Sequence, residues 1–196
     1  MSTRRIQIIK IVGYFLLLGV LIGALNLTAF SAPAAGKGPP PTKNIIVLIA
    51  DGRGFLHVDA ASYYQEGKDA RQVYNRFPFR FAMSTYMGYY EGDPCYGRGY
   101  DPADAWSDFA YVSECYTDSA AAATTMSTGV KTYNGAIGVD MDQNPLNHVL
   151  DYAEDMGKST GVITSVEWTH ATPAGFVAHN ESRNNYADIG QEMVYD

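Results

Sequence analysis

The chain has 196 residues, and its 21 acidic side chains outnumber the 14 basic ones to give a net charge of −7. This balance argues against a nucleic-acid-binding module, because a phosphate backbone is held mainly by clustered Lys and Arg. With 46% hydrophobic and 13% aromatic residues, the composition also excludes a disordered chain and predicts a globular protein of roughly one domain.

Residues 1–31 have the pattern of a secretory signal peptide. Arg4, Arg5 and Lys10 precede an uncharged run over residues 11–25, and small residues follow at cleavage spacing. The alternative is an uncleaved membrane anchor, since the uncharged stretch continues to residue 30 and just reaches bilayer-spanning length. Both readings predict export, to the periplasm or the medium, with membrane contact only through this segment if it is uncleaved.

A Pro/Gly-rich linker over residues 32–43 precedes a predicted domain over residues 44–196. The linker holds four prolines and two glycines without apolar periodicity. Residues 45–50 are apolar and rich in branched side chains, which predicts a buried strand of a parallel sheet. Residues 160–165 predict a second such strand.

Helices are predicted between these strands. Residues 120–128 form a run of small residues closed by Gly129. Residues 145–156 carry apolar side chains at helical spacing, with Asn144 as the candidate N-cap and Gly157 just past the end. The order strand, helix, helix, strand favours an α/β fold with a parallel sheet.

Residues 86–116 are predicted to be a loop-like insertion, with four glycines and two prolines. Its aromatic side chains are expected to pack within the loop rather than to form a nucleotide platform. Cys95 and Cys115 are the only thiols of the chain. In an oxidising compartment they are expected to form a disulfide.

Polar residues follow both predicted strands, where ligands gather in open α/β sheets. Asp51 ends the first strand, and His170 and Thr172 follow the second. Ser119 opens the alanine-rich helix, whose first turn presents backbone N–H groups and a positive dipole suited to a phosphate or a phosphorylated serine. For Asp51 and Ser119 the alternative is simple helix capping.

Three sequence motifs together resemble the alkaline phosphatase family. They are DGRG at residues 51–54, TDSAAAAT followed by STGVKTYNGAIGVD within residues 117–140, and THATPAGFVAHNESR at residues 169–183. The resemblance covers about residues 43–186. It implies a three-layer α/β sandwich around a central, mainly parallel sheet, incomplete in this chain, and the family resemblance allows a homodimer.

The resemblance also implies a reaction, namely the hydrolysis of phosphate monoesters with release of inorganic phosphate. Ser119, between two Zn²⁺ ions, would attack phosphorus and form a phosphoserine. Metal activation answers a physical need, because a serine hydroxyl is a poor nucleophile at neutral pH. Arg183 would grip the phosphate oxygens, and Asp118 would orient Arg183 or a metal-bound water.

By the same resemblance, Asp51 would bridge one zinc and a third metal, and Thr172 would be a third-site ligand. The third site would take Mg²⁺, with Zn²⁺ or Co²⁺ as alternatives because His170 replaces a carboxylate by a nitrogen donor. His170 could instead hydrogen-bond a metal-bound water. The remaining histidines, at positions 57, 148 and 179, are interpreted as structural.

The family's other metal ligands come later in the chain than Arg183, which only 13 residues follow, none of them His. The chain is therefore interpreted as the N-terminal portion of an alkaline phosphatase catalytic domain, truncated before the later metal ligands and inactive alone. If it ends at Asp196, the alternative is a non-catalytic phosphate- or metal-binding fragment. A sister hydrolase of diesters or sulfates is a third interpretation.

Overall fold

The computed structural model describes residues 42–99 and 101–195, and its regular elements there are helical. The α-helices are α1 (Phe55–Glu66), α2 (Pro102–Ser107), α3 (Ser119–Thr128), α4 (Val149–Asp155), α5 (Ala171–Ala174) and α6 (Tyr186–Tyr195), with 3₁₀ turns at Val73–Arg76 and Phe109–Ser113. The compact unit that carries them begins at Ile49. In this part of the chain no helix has the length and apolar character needed to cross a bilayer. The predicted signal peptide or anchor, and the linker up to residue 41, lie outside the described residues.

The two predicted strands are not formed. Residues 45–50 and 160–164 have no regular secondary structure, and Ile163 is fully exposed. The β pairing seen in the described residues consists of isolated antiparallel bridges, Ile137 with Asn180 and Val139 with Pro145. A strand is stabilised by hydrogen bonds from a neighbouring strand, so an apolar branched sequence alone does not produce one.

The alanine-rich helix α3 confirms the prediction for residues 120–128. Asp118 caps it by accepting a hydrogen bond from the Ala121 backbone N–H at 2.9 Å. Gly129 ends it in the left-handed conformation at φ 77°, which glycine adopts without steric cost. Ala120, Ala121 and Ala123 are buried.

Small side chains let α3 pack closely against α5. A Cβ atom at Gly175, just after α5, would lie 2.7 Å from the Cβ of Ala123, so only glycine fits there. The core at this contact is formed by Ala120, Ile137, Ala171, Ala174, Ala178 and Ile189. The residues that open the two helices are therefore positioned by one shared core.

Helix α4 is shorter than predicted, because it begins at Val149 rather than at residue 145. The preceding residues pair elsewhere: the Asn144 backbone N–H donates to Asp140 Oδ1 at 2.8 Å, and the Leu146 N–H donates to the Gly138 carbonyl at 2.8 Å. His148 is the N-cap of the helix, and its backbone N–H donates to Asp151 Oδ2 at 2.6 Å.

The insertion over residues 86–116 is more ordered than a loop, since it contains α2 and the second 3₁₀ turn. Asp101 and Asp108 cap these helices by accepting hydrogen bonds from backbone N–H groups. Aspartate at these positions is a helix-start signal, but the glycines and prolines of the segment favoured the prediction of a loop. Cys95 and Cys115 form a disulfide with their Cα atoms 5.7 Å apart. The predicted pairing is therefore confirmed.

Candidate active site

Three side-chain oxygens converge at one point of the compact unit. The Ser119 hydroxyl donates to Asp51 Oδ2 at 2.7 Å, and the Thr172 hydroxyl donates to the same oxygen at 3.3 Å. These three atoms are called the oxygen cluster below. Residues far apart in sequence, as predicted from the motifs, thus meet at a single carboxylate.

Local structure explains each position in the oxygen cluster. Asp51 lies in a turn in which Gly52 adopts a left-handed φ of 68°, and the turn leads into α1. Ser119 is the first residue of α3, and Thr172 is the second residue of α5. The packing of α3 on α5 brings both hydroxyls to the Asp51 turn.

Arg183 is held by the carboxylate of Asp118, the residue that precedes Ser119. Its Nη1 donates to Asp118 Oδ2 at 3.0 Å, while the Arg183 backbone N–H donates to the Gly135 carbonyl at 2.7 Å. About a quarter of the Arg183 side chain is exposed. The guanidinium is thus fixed at one end and accessible, as a group that binds an anion needs to be.

His170 lies between Arg183 and the start of α5. Its Nδ1 faces the Thr172 backbone N–H at 3.4 Å, and its Nε2 faces Arg183 Nη2 at 3.3 Å. Both partners are donors, so a neutral imidazole can accept from only one of them. The structure thus places His170 next to a residue of the oxygen cluster and in contact with the guanidinium.

Two residues that sequence reasoning did not single out complete this arrangement. Asn134 Oδ1 accepts from the Asp118 backbone N–H at 2.8 Å, and the Gly135 N–H donates to Asp118 Oδ2 at 3.1 Å. The signal was present in the sequence, because Asn-Gly is a strong turn dipeptide. Gly135 adopts a φ of 94°, which favours glycine at this turn.

The donor set of the oxygen cluster fits a hard cation. A carboxylate and two hydroxyl oxygens are ligands that Mg²⁺ prefers, whereas Zn²⁺ is bound mostly by nitrogen and sulfur. Among residues 42–99 and 101–195 no group of three His, Cys, Asp or Glu side chains is arranged to hold a metal ion. The oxygen cluster itself offers one carboxylate and two hydroxyl groups, a donor set that fits an ion bound through oxygen.

The other histidines lie elsewhere. His57 accepts from the Gly54 N–H at 3.0 Å on α1. His148 and His179 have ring centroids 4.7 Å apart, and His179 Nδ1 lies 2.7 Å from Glu192. Burial, and secondarily His179, lowers the pKa of the His148 imidazole despite the opposing effect of Asp151.

A hydroxyl at a helix N-terminus, a carboxylate that orients it and an accessible guanidinium are the groups that hydrolases of phosphate esters bring together. The comparisons with known proteins agree with this class. The family model "Alkaline phosphatase" matches residues 42–194. The chain therefore belongs to the alkaline phosphatase family.

Individual relatives give the extent of the similarity. Alkaline phosphatase 3 of Bacillus subtilis is 36% identical over 183 residues, covering 87% of this chain and 36% of the relative. A cold-active alkaline phosphatase from the psychrophile Shewanella sp. superposes with a TM-score of 0.56 at 36% identity, over 74% of this chain and 32% of that one. A histidine-to-glutamate mutant of TAB5 alkaline phosphatase, with Mg bound in the M3 site, gives a TM-score of 0.56 at 30% identity, over 74% and 34%.

The chain thus spans about a third of the length of the relatives it matches. Its fold class is that of the alkaline phosphatases. The sheet of the predicted three-layer sandwich is not formed in the described residues, so that layer arrangement stays a prediction.

Proposed function

We propose that the protein carrying this chain hydrolyses phosphate monoesters through a phosphoserine at Ser119 and releases inorganic phosphate. The observation that carries the proposal is the position of Ser119. Its hydroxyl opens α3 and donates to Asp51, a contact between residues 68 apart in sequence. A mere N-cap serine would bond its own helix, and here Asp118 already has that role.

Asp51 orients the nucleophile. The 2.7 Å hydrogen bond fixes the Ser119 hydroxyl proton on the carboxylate side, which leaves the oxygen lone pairs directed elsewhere for attack. A carboxylate alone is too weak a base to deprotonate a serine hydroxyl. Positive charge is therefore needed near the hydroxyl to lower the pKa of the serine. A metal ion held by Asp51 would supply that charge and would stabilise negative charge on the phosphoryl and leaving oxygens.

Arg183 and the start of α3 would bind the phosphoryl group. The guanidinium provides a planar pair of donors, and the helix dipole adds positive potential at Ser119. Asp118 compensates part of the guanidinium charge and keeps its direction constant. The preference for a monoester over a diester is proposed from the family resemblance, because Ser119 in its alanine-rich setting and Arg183 together match the monoesterase pattern.

The metal set is proposed from the family. Asp51 and Thr172 would hold the third-site ion through oxygen, with Mg²⁺ as the expected metal. Two Zn²⁺ ions would need further ligands, and Ser119 and Asp51 would contribute to them. His170 makes Zn²⁺ or Co²⁺ alternatives at the third site.

We further propose that the protein is exported, to the periplasm or the medium, and anchored only if residues 1–31 are retained. The Cys95–Cys115 disulfide supports this, because such bonds persist in oxidising compartments. A homodimer is proposed from the family alone.

Labelling with radioactive inorganic phosphate at acidic pH tests the nucleophile in the metal-loaded enzyme that contains this chain. We expect label on Ser119, and loss of both the label and about 10³-fold or more of the activity in Ser119→Ala. Ser107→Ala is the matched control, because Ser107 is an exposed serine whose hydroxyl bonds only its own helix at Asp104. Phosphate binding without turnover would instead support the non-catalytic module, and normal turnover in Ser119→Ala would refute the assignment.

A further inference from the structure

The insertion carries a half-open pocket that the proposed reaction does not yet use. Its volume is about 260 Å³, and Tyr86, Tyr111 and Tyr116 form aromatic walls. A cavity of about 150 Å³ is enough to bind benzene. This space, called the insertion pocket, therefore accommodates one planar ring or a fused pair.

The walls of the insertion pocket are held in place by several contacts. Arg98 pairs with Glu114 at 3.0 Å and lies 5.0 Å from the centre of the Tyr111 ring. The Cys95–Cys115 disulfide links the last turn of the insertion to its first third, and the Tyr89 hydroxyl donates to the Cys115 carbonyl. Because Arg98 and Glu114 neutralise each other, the insertion pocket favours an uncharged aromatic group over a second anion.

The insertion pocket lies close to the nucleophile along the chain. Thr117 lines it and precedes Ser119 by two residues, so their Cα atoms are at most about 7 Å apart. Asn134 also joins the two regions: it donates to the Tyr116 carbonyl at 3.1 Å and accepts from the Asp118 N–H at 2.8 Å. A ring in the insertion pocket is therefore within reach of a phosphate at Ser119.

We propose that the insertion pocket binds the aromatic alcohol portion of aryl phosphate monoesters, an inference that rests on the proposed function. The sequence expectation that these aromatics only pack within the loop is revised accordingly. In the reaction the bond from Ser119 Oγ to phosphorus forms as the bond to the aryl oxygen breaks. The aryl oxygen leaves with the bonding pair and takes up one proton, which the proton lost by Ser119 balances. Water then cleaves the phosphoserine.

Phosphonates separate binding from leaving-group reactivity, because their P–C bond is not hydrolysed. In the metal-loaded enzyme, the ratio of the inhibition constants of methylphosphonate and phenylphosphonate measures ring binding alone. We expect phenylphosphonate to bind more tightly, and Tyr116→Ala to lower the ratio by about 3- to 10-fold. Tyr116→Phe keeps the ring and should preserve the ratio. Tyr116 is 64% exposed, so its truncation is compatible with folding.

A matched control and a second variant sharpen the test. Phe109→Ala removes an aromatic side chain of the same insertion that is 97% exposed and outside the pocket lining, so it should leave the ratio unchanged. Val112→Trp should fill the insertion pocket and weaken phenylphosphonate while leaving methylphosphonate unaffected. An unchanged ratio in both Tyr116→Ala and Val112→Trp, with hydrolysis intact, would refute ring binding in the insertion pocket and leave the proposed function standing. Absence of p-nitrophenyl phosphate hydrolysis and of inhibition by either phosphonate would overturn the proposed function as well.

Discussion

Asp118 and Arg183 are 65 positions apart, yet Arg183 Nη1 donates to Asp118 Oδ2 at 3.0 Å. The same carboxylate caps α3 through Oδ1, which accepts from the Ala121 N–H at 2.9 Å. One side chain therefore starts the helix that presents Ser119 and fixes the guanidinium beside it. Helix stability and the proposed binding of phosphate are therefore coupled at this residue.

Asp118→Asn should separate the two roles of this side chain. Asparagine caps helices about as well as aspartate, so α3 should keep its cap, while the amide nitrogen that replaces Oδ2 cannot accept from the Gly135 N–H, which should cost about 1 kcal/mol of stability. The loss of the charge partner should misdirect Arg183 and raise the inhibition constant of inorganic phosphate by about 10-fold or more. Asp118→Ala should add a stability loss of about 1 kcal/mol. Equal phosphate inhibition in the wild type and Asp118→Asn would contradict the orienting role.

Removing the disulfide should destabilise the protein. The Cys95–Cys115 bond spans a sequence separation of 20 residues, and closing a loop of this size is worth about 3 kcal/mol in the chain-entropy model. We expect the double variant with serine at both positions to unfold at lower urea concentration than the oxidised protein. The reduced wild type is the control and should match the double variant. Two free thiols in exported protein under non-reducing conditions would rule out the bond.

Acid should weaken the fold through His148, which is 1% exposed. Burial lowers its pKa below the usual value, so the unfolded chain binds more protons than the folded one once the pH falls below about 6.5. Stability is therefore fully present above that pH and is lost as the pH falls towards the lower folded pKa. The slope is at most about 1.4 kcal/mol per pH unit for this one group.

Urea unfolding between pH 7.5 and pH 5 measures this effect. His148→Gln, which cannot titrate, should flatten the pH dependence, although Asp151, His179 and Glu192 surround the position. His57→Gln is the matched control, because His57 is exposed on α1 and should leave the slope as it is. The same slope in all three proteins would exclude His148 as the acid-sensitive group.

Helix-forming and helix-ending residues within one segment predicted the elements that depend on local interactions. Helix α3 follows from its cap, its small residues and Gly129, which act within one segment. The start of α4 did not follow, because Asn144 is engaged by Asp140 and Leu146 by Gly138, partners that no helical periodicity reveals. The strands at residues 45–50 and 160–165 required partner strands, and apolar composition does not specify those.

The candidate site was predictable for a different reason. Asp51, Ser119 and Thr172 lie in the motifs that carry the family resemblance, so the sequence indicated that they belong to one site. In the structure their side-chain oxygens form the oxygen cluster. The Asn134-Gly135 dipeptide indicates a turn, but not that Asn134 contacts the backbone at Asp118 and Tyr116. The insertion pocket likewise depends on which groups meet after folding.

The metal preference of the third site should depend on His170. Its ring nitrogens face the Thr172 N–H and Arg183, so the side chain stands between the oxygen cluster and the guanidinium. Mg²⁺ prefers an all-oxygen shell, whereas imidazole suits Zn²⁺ and Co²⁺. In the metal-loaded enzyme we expect weak retention of Mg²⁺, stimulation by added Mg²⁺ or Co²⁺, and inhibition by excess Zn²⁺.

His170→Asp should shift this preference towards Mg²⁺. Aspartate at the same N-cap accepts well from the Thr172 N–H, so α5 should remain folded, and its second oxygen offers Mg²⁺ a hard ligand. Metal analysis after dialysis, followed by activity titration with each ion, measures the shift in both proteins. His57→Asp is the matched control, because it adds the same carboxylate on α1 outside the oxygen cluster. If Mg²⁺ retention in His170→Asp equals that of the wild type, the imidazole has no part in metal choice, and its contact with Arg183 is then its main role.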